Sequence, residues 1–104
     1  MSESGGTVVV ADDTPAIGQY FARLLKRDGH RVIVAHNGTE ALDAIRREQP
    51  DVALLDVMMP ERSGFDVCEA VKADPSTRLI PVVLVTALQN IEDRIRGIEA
   101  SRSS

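Results

Sequence analysis

Four short runs of aliphatic and β-branched residues alternate along the chain with segments whose apolar residues recur at helical spacing. The runs are apolar throughout and do not alternate with polar positions, as is typical of strands buried on both faces of a parallel sheet. They are Thr7–Ala11, Arg31–Ala35, residues 52–55 and Val82–Val85. The pattern therefore predicts four strands, each followed by a helix, in the order β-α-β-α-β-α-β-α.

The helical segments each carry an apolar stripe that is expected to cover one face of the sheet. Parallel strands joined by right-handed helical crossovers give a three-layer α/β sandwich. The stripes consist of Ile17, Tyr20, Phe21, Leu24 and Leu25 in the first helix; Ala41, Leu42 and Ile45 in the second; Gly64, Val67, Cys68 and Val71 in the third; and Ile91, Ile95 and Ile98 in the fourth.

Composition narrows the class of protein. The 104 residues include 16 acidic and 12 basic side chains, for a net charge of -4, which fits one domain with a modest core. With no run of Lys and Arg, neither nucleic acid nor an anionic membrane is a favoured partner. No apolar stretch approaches the roughly 20 residues that span a bilayer. The single Cys68 and the absence of a secretory signal predict a cytoplasmic location.

Acidic residues stand where two of the predicted strands end. Asp12 and Asp13 follow the first strand and Asp56 follows the third. Alone, the Asp12-Asp13 pair could be a solvated turn, but Asp56 lies at the mouth of a buried strand. If the two strands are neighbours, the three carboxylates meet where ligands of open α/β sheets bind. Their repulsion would favour protonation unless a cation neutralises them, and oxygen ligands of this kind suit Mg²⁺.

These residues resemble the receiver domains of two-component response regulators, which are flavodoxin-like folds that accept a phosphoryl group on an aspartate. The resemblance covers residues 7–100 and implies a sheet order of two-one-three-four. Because the ends of the chain are polar, we expect a flexible segment at 1–6 and a disordered tail at 101–104. It rests on Asp12-Asp13, the run Asp56-Val-Met-Met-Pro60 with Gly64, Pro81, and Thr86-Ala87.

The resemblance also implies a role for each site residue. Asp56 would be the phospho-acceptor, Asp13 and Asp56 direct Mg²⁺ ligands, Asp12 a ligand through water, and Met58 a ligand through its backbone carbonyl. Thr86 would hydrogen-bond the phosphoryl oxygens. The donor would be a sensor histidine kinase or a phosphotransfer protein. Since a carboxylate is anionic at neutral pH, Asp56 needs no general base to act as nucleophile.

The chain departs from the family pattern at its end. Receiver domains continue with a fifth strand, which carries a lysine, and a fifth helix, whereas this sequence stops at Ser104. We therefore expect a truncated receiver whose lysines, Lys26 and Lys72, lie in helices away from the cleft. The edge of Val82–Val85 and the fourth helix would then be exposed, which predicts a homodimer through these two elements.

Three functions remain open at this point. The first is a phosphorelay switch that changes a protein-interaction surface and has no enzymatic activity beyond self-catalysed phosphoryl acceptance and slow dephosphorylation. The second is a non-switching receiver remnant that acts as a structural or dimerisation module. The third is a Mg²⁺-dependent aspartyl phosphohydrolase, which is disfavoured because Met58 occupies the position of that class's second aspartate.

Overall fold

The structure is a computed structural model that describes residues 5–85. Seven elements follow one another, and the predicted strand positions are confirmed, with the third strand extending one residue further, to Asp56. The predicted fourth helix and Thr86 lie outside the described residues. The elements are β1 (Thr7–Ala11), α1 (Pro15–Arg27), β2 (Arg31–Ala35), α2 (Gly38–Glu48), β3 (Val52–Asp56), α3 (Gly64–Ala73) and β4 (Val82–Val85).

The four strands form one parallel sheet in the order β2-β1-β3-β4, which confirms the predicted topology. Val8 of β1 lies opposite Val32 on one side and Val52 on the other. At the far end of β3, Asp56 pairs with Val85. Because β1 and β3 are neighbours, their carboxyl ends reach the same edge of the sheet side by side.

The core lies between the sheet and the pair α2 and α3. Val9 and Leu55 point to this face, and both are fully buried together with Ile45 of α2. The predicted stripe of α2 is confirmed, since Ala41, Leu42 and Ile45 are all buried. Alternation along the strands turns the neighbouring side chains to the opposite face, which α1 covers.

The predicted stripe of α1 is wrong in part. Tyr20 is 59% exposed and Leu24 38% exposed, whereas the buried residues of this helix are Gly18 and Ala22. A Cβ on Gly18 would lie 3.2 Å from Cγ1 of Val34, so α1 approaches the sheet closely through its small residues. Of the large side chains in the stripe, Ile17, Phe21 and Leu25 are half-buried, whereas Tyr20 and Leu24 are exposed.

Side-chain caps begin the two helices that pack against the core. The side chain of Asn37 accepts a hydrogen bond from the backbone N–H of Glu40 and caps α2. Ser63 and Asp66 form a reciprocal capping box at the start of α3. Within the described part of the chain, no helix combines the length and apolar character needed to cross a membrane.

Candidate functional site

Three carboxylates converge at the carboxyl ends of β1 and β3. Asp12 follows the last residue of β1, Asp13 comes next, and Asp56 ends β3. One carboxylate oxygen from each side chain can be chosen so that all three lie within 4.8 Å of one another. Asp12 and Asp56 are buried, at 0% and 1% exposure, whereas Asp13 is exposed. The arrangement therefore has two buried carboxylates beneath one that faces solvent.

Backbone N–H groups hold one oxygen of each buried carboxylate. Oδ1 of Asp12 accepts a hydrogen bond of 2.7 Å from the N–H of Thr14, and Oδ1 of Asp56 accepts one of 3.3 Å from the N–H of Met58. The second oxygen, Oδ2, of both side chains is buried and has no hydrogen-bond partner within residues 5–85. Burying an unpaired carboxylate oxygen is costly, so this pair needs a proton or a cation.

The environment disfavours the charged forms. Burial raises the pKa of the Asp12 carboxyl to about 6, and the charges of Asp56 and Asp13 add to this effect, while the N–H of Thr14 opposes it. Burial likewise raises the pKa of Asp56, with a further contribution from the charge of Asp13. Carboxylates that resist ionisation when the cluster is alone become good ligands once a cation compensates their charge.

An open cleft lies beside the carboxylates. It has a volume of about 470 Å³, and Met58 stands at its rim with 72% of its surface exposed. Its floor and walls come mainly from the loop between β3 and α3. The lining residues are Asp13, Val57, Met58, Met59, Pro60 and Ser63.

The donor set suits a hard divalent cation. All three side chains offer carboxylate oxygens, and two of these are buried without partners among the described residues. Cations such as Mg²⁺ bind to one or two carboxylates and keep positions for water and phosphate oxygens, which the open cleft allows. The residues present therefore fit the metal that the sequence predicts.

The structure brings together four of the five predicted site residues. Asp12, Asp13 and Asp56 form the carboxylate cluster, and Met58 is joined to it through its bond to Asp56. Thr86 lies outside the described residues.

Neither lysine of the chain is placed at the cleft. The Nζ atom of Lys72 donates to the carbonyls of Arg78 and Ile80, 3.1 and 2.9 Å away, in the connection that follows α3. Lys26 is in the last turn of α1, whereas it is the N-terminal end of this helix that follows the acidic pair. The expectation that both lie in helices away from the site is therefore met.

Two backbone hydrogen-bond donors of the site were not predicted from the sequence. The N–H of Thr14 and the N–H of Met58 each bond to the carboxylate two residues earlier. This is the Asx-turn pattern, in which an aspartate accepts from the backbone two positions on. The signal was available, because Asp12 stands two residues before Thr14 and Pro15, a sequence typical of such a turn at the start of a helix.

The family model of the response regulator receiver domain matches residues 8–103. The chain belongs to this family. Among curated proteins, the receiver is 45% identical over 96 residues to the response regulator PleD of Caulobacter vibrioides, covering 92% of this chain and 21% of that protein. It is 39% identical over 94 residues to the probable transcriptional regulatory protein TcrX of Mycobacterium tuberculosis, covering 90% of this chain and 39% of TcrX. The receiver thus spans well under half the length of these two relatives.

Solved structures agree with this assignment. The N-terminal domain of a response regulator receiver protein from Methanoculleus marisnigri is 44% identical, with a TM-score of 0.75 over 79% of this chain and 67% of that one. The receiver domain of a signal transduction histidine kinase from Syntrophus aciditrophicus is 32% identical, with a TM-score of 0.74 over 90% of this chain and 71% of that one. Receiver domains of response regulators are modules of two-component phosphorelay signalling, and the comparisons favour neither alternative function.

Proposed function

We propose that this receiver accepts a phosphoryl group on Asp56 and changes a protein-interaction surface in response. The donor is a sensor histidine kinase or a phosphotransfer protein, in keeping with the family. The observation that carries the proposal is the carboxylate cluster at the ends of β1 and β3, with unpaired buried oxygens on Asp12 and Asp56.

The proposed cofactor is Mg²⁺. Asp13 and Asp56 would hold it directly, Asp12 through water and Met58 through its backbone carbonyl. When bound, the ion supplies charge neutralisation for the carboxylates and for the phosphoryl oxygens. The raised pKa values of Asp12 and Asp56 support this role, because burial, together with the neighbouring carboxylates, disfavours their charged forms in the absence of a cation.

The residues of the chain position the nucleophile. β3 is an inner strand, and Asp56 at its carboxyl end pairs with Val85 of β4. The N–H of Met58 restrains Oδ1 of Asp56. A carboxylate oxygen of Asp56 attacks phosphorus while the bond to the donor breaks, and the electron pair of that bond leaves with the donor. No proton is removed from the nucleophile, so the transfer is self-catalysed without a general base.

Thr86 is proposed to hydrogen-bond the phosphoryl oxygens after transfer. Two observations support the proposal: Thr86 directly follows Val85, and Val85 pairs with Asp56 in the sheet register. A hydroxyl at this position would hydrogen-bond to the added phosphoryl group without taking part in the transfer itself.

The test is phosphorylation by a small acyl-phosphate donor, acetyl phosphate, with Mg²⁺, followed by intact mass spectrometry. We expect one added phosphoryl mass in the unsubstituted chain and none in Asp56→Asn. Asp43→Asn is the matched control, because Asp43 is an exposed carboxylate on α2 that pairs only with Arg47 in the described part of the chain. Labelling that persists in Asp56→Asn would overturn the assignment.

We also propose that the receiver is cytoplasmic and forms a homodimer through the edge of β4 and the predicted fourth helix. Supporting the dimer, β4 hydrogen-bonds to a single strand, β3, among the described elements, and Val83 is 45% exposed. Light scattering over a wide concentration range should detect a dimer that Val83→Glu weakens. A monomer at high micromolar concentration would contradict this proposal.

A further inference from the structure

The loop between β3 and α3 rests against the first residue of α2. Gly38 is buried, and its N–H donates to the carbonyl of Pro60 at 3.5 Å. A Cβ on Gly38 would overlap the carbonyl oxygen of Arg62 and lie 2.7 Å from its carbonyl carbon. These are backbone atoms, which cannot turn aside as a flexible side chain can. Any side chain at position 38 must therefore displace the loop.

The loop is tightly folded where it meets Gly38. The N–H of Arg62 donates to the carbonyl of Pro60 at 2.8 Å, closing a three-residue turn. Glu61, at its centre, has a φ of 68°, in the left-handed region that non-glycine residues seldom adopt. The carbonyl of Pro60 thus accepts one bond from within the turn and one from α2. Such a turn cannot easily change its conformation to accommodate a displacement.

The other end of the loop belongs to the phosphoryl-acceptor site. The N–H of Met58 bonds to Asp56, and the N–H of Gly64 closes the loop on the carbonyl of Val57 at 2.9 Å. Between Met58 and Pro60, the side chain of Met59 is packed in the core. Because only Met59 separates Pro60 from Met58 and its side chain is held in the core, a shift of Pro60 turns this short segment about Met59 and moves Met58 as well.

We propose that Gly38 is a positioning residue for the cation site. Because Gly38 has no side chain, the turn formed by residues 60–62 can pack against the start of α2, and this packing sets the position of the Met58 carbonyl. Gly38 touches neither the cation nor the phosphoryl group. The inference rests on the proposed function, which makes that carbonyl a Mg²⁺ ligand.

The test is Gly38→Ala in the full chain, with Mg²⁺ affinity measured from the rise of unfolding temperature with Mg²⁺ concentration. Groups that orient metal ligands typically change affinity by about 10- to 100-fold, and we expect a loss of about tenfold. The Mg²⁺ concentration that gives half-maximal labelling by acetyl phosphate should rise by the same factor. The rate at saturating Mg²⁺ should change far less, because Asp56 is untouched.

The matched control is Ile45→Val, in the same helix. Ile45 is fully buried in the core and lies seven residues after Gly38 in the sequence, so shortening it lowers stability without adding an atom against the turn at Pro60 to Arg62. We expect a lower unfolding temperature with an unchanged Mg²⁺ midpoint. If Ile45→Val weakened Mg²⁺ binding as much as Gly38→Ala, the effect would be a general one of stability, and the inference would be overturned.

The remaining outcomes also decide the question. An unchanged Mg²⁺ midpoint in a folded Gly38→Ala variant would overturn the positioning role and leave the proposed function intact. An unsubstituted receiver that does not respond to Mg²⁺ would overturn both. If Gly38→Ala does not fold, Pro60→Gly loosens the same turn without adding atoms at position 38. Weaker Mg²⁺ binding in that variant supports the inference, and an unchanged affinity overturns it.

Discussion

Replacing Asp12 with asparagine should stabilise the receiver when no divalent cation is present. The side chain is fully buried, with one oxygen lacking a partner among residues 5–85, and its charge lies beside those of Asp13 and Asp56. Asparagine keeps an oxygen for the N–H of Thr14 and removes the charge. A buried neutral amide costs less than a buried carboxylate, so the exchange is favourable.

The magnitude follows from the pKa. A carboxyl whose pKa moves from 3.8 to about 6 on folding loses about 3 kcal/mol of unfolding free energy when it ionises. Asparagine places an amide group where Oδ2 of Asp12 has no partner among residues 5–85, which costs about 1–2 kcal/mol and leaves a net gain of about 1–2 kcal/mol. For a domain of this size, 1 kcal/mol corresponds to about 4–8 °C in unfolding temperature.

The sign of the pH dependence is fixed by the direction of the shift. Between pH 3.8 and about 6, the folded state binds more protons at Asp12 than the unfolded state does. This side chain therefore makes the unfolding free energy fall as pH rises through that window, and its full cost is present above about pH 6. In Asp12→Asn this contribution is absent, so the gain in stability should appear above about pH 6 and fade below about pH 4.

The assay is urea unfolding in the presence of a chelator, followed by circular dichroism from about pH 4 to pH 8. Asp43→Asn serves as control, since this exposed side chain should show no such pH-dependent gain. Adding Mg²⁺ should stabilise the unsubstituted receiver more than Asp12→Asn. If Asp12→Asn is no more stable than the unsubstituted receiver at pH 8 without metal, the argument from burial and repulsion is refuted.

Three further outcomes are expected. Asp13→Asn should abolish most of the Mg²⁺-induced rise in unfolding temperature, and an equal rise in this variant would place the metal elsewhere. Thr86→Ala should be labelled by acetyl phosphate at nearly the unsubstituted rate, because its hydroxyl is a reporter and not the nucleophile; a loss of labelling in intact mass spectra would contradict this role. Gly64→Ala should lower the unfolding free energy by about 1–3 kcal/mol, because its Cβ would lie 2.5 Å from the carbonyl oxygen of Asp56 and 3.0 Å from Cα of Val57; thermal unfolding close to the unsubstituted value would show that the loop adapts.

The sequence alone predicted the strands and the residues at their ends. Strands buried on both faces need unbroken apolar runs, so β1 and β4 could be located without knowing their neighbours. The carboxylates of Asp12 and Asp56 stood out because each charge directly follows an apolar run, where a strand leaves the core. The buried stripe of α2 was predicted for a related reason, since its 3.6-residue period leaves a single face for the sheet.

Only the tertiary structure decided which of these residues meet and how they are held. The sheet order brings β1 beside β3, and this long-range packing gathers separate acids into a cluster. Burial there, together with the neighbouring charges, raises the pKa of Asp12. The same holds for α1, where close approach through Gly18 leaves Tyr20 exposed against the periodicity. Local patterns record which positions are apolar or charged, but distances between segments far apart in the chain arise from packing, and burial and pKa depend on those distances.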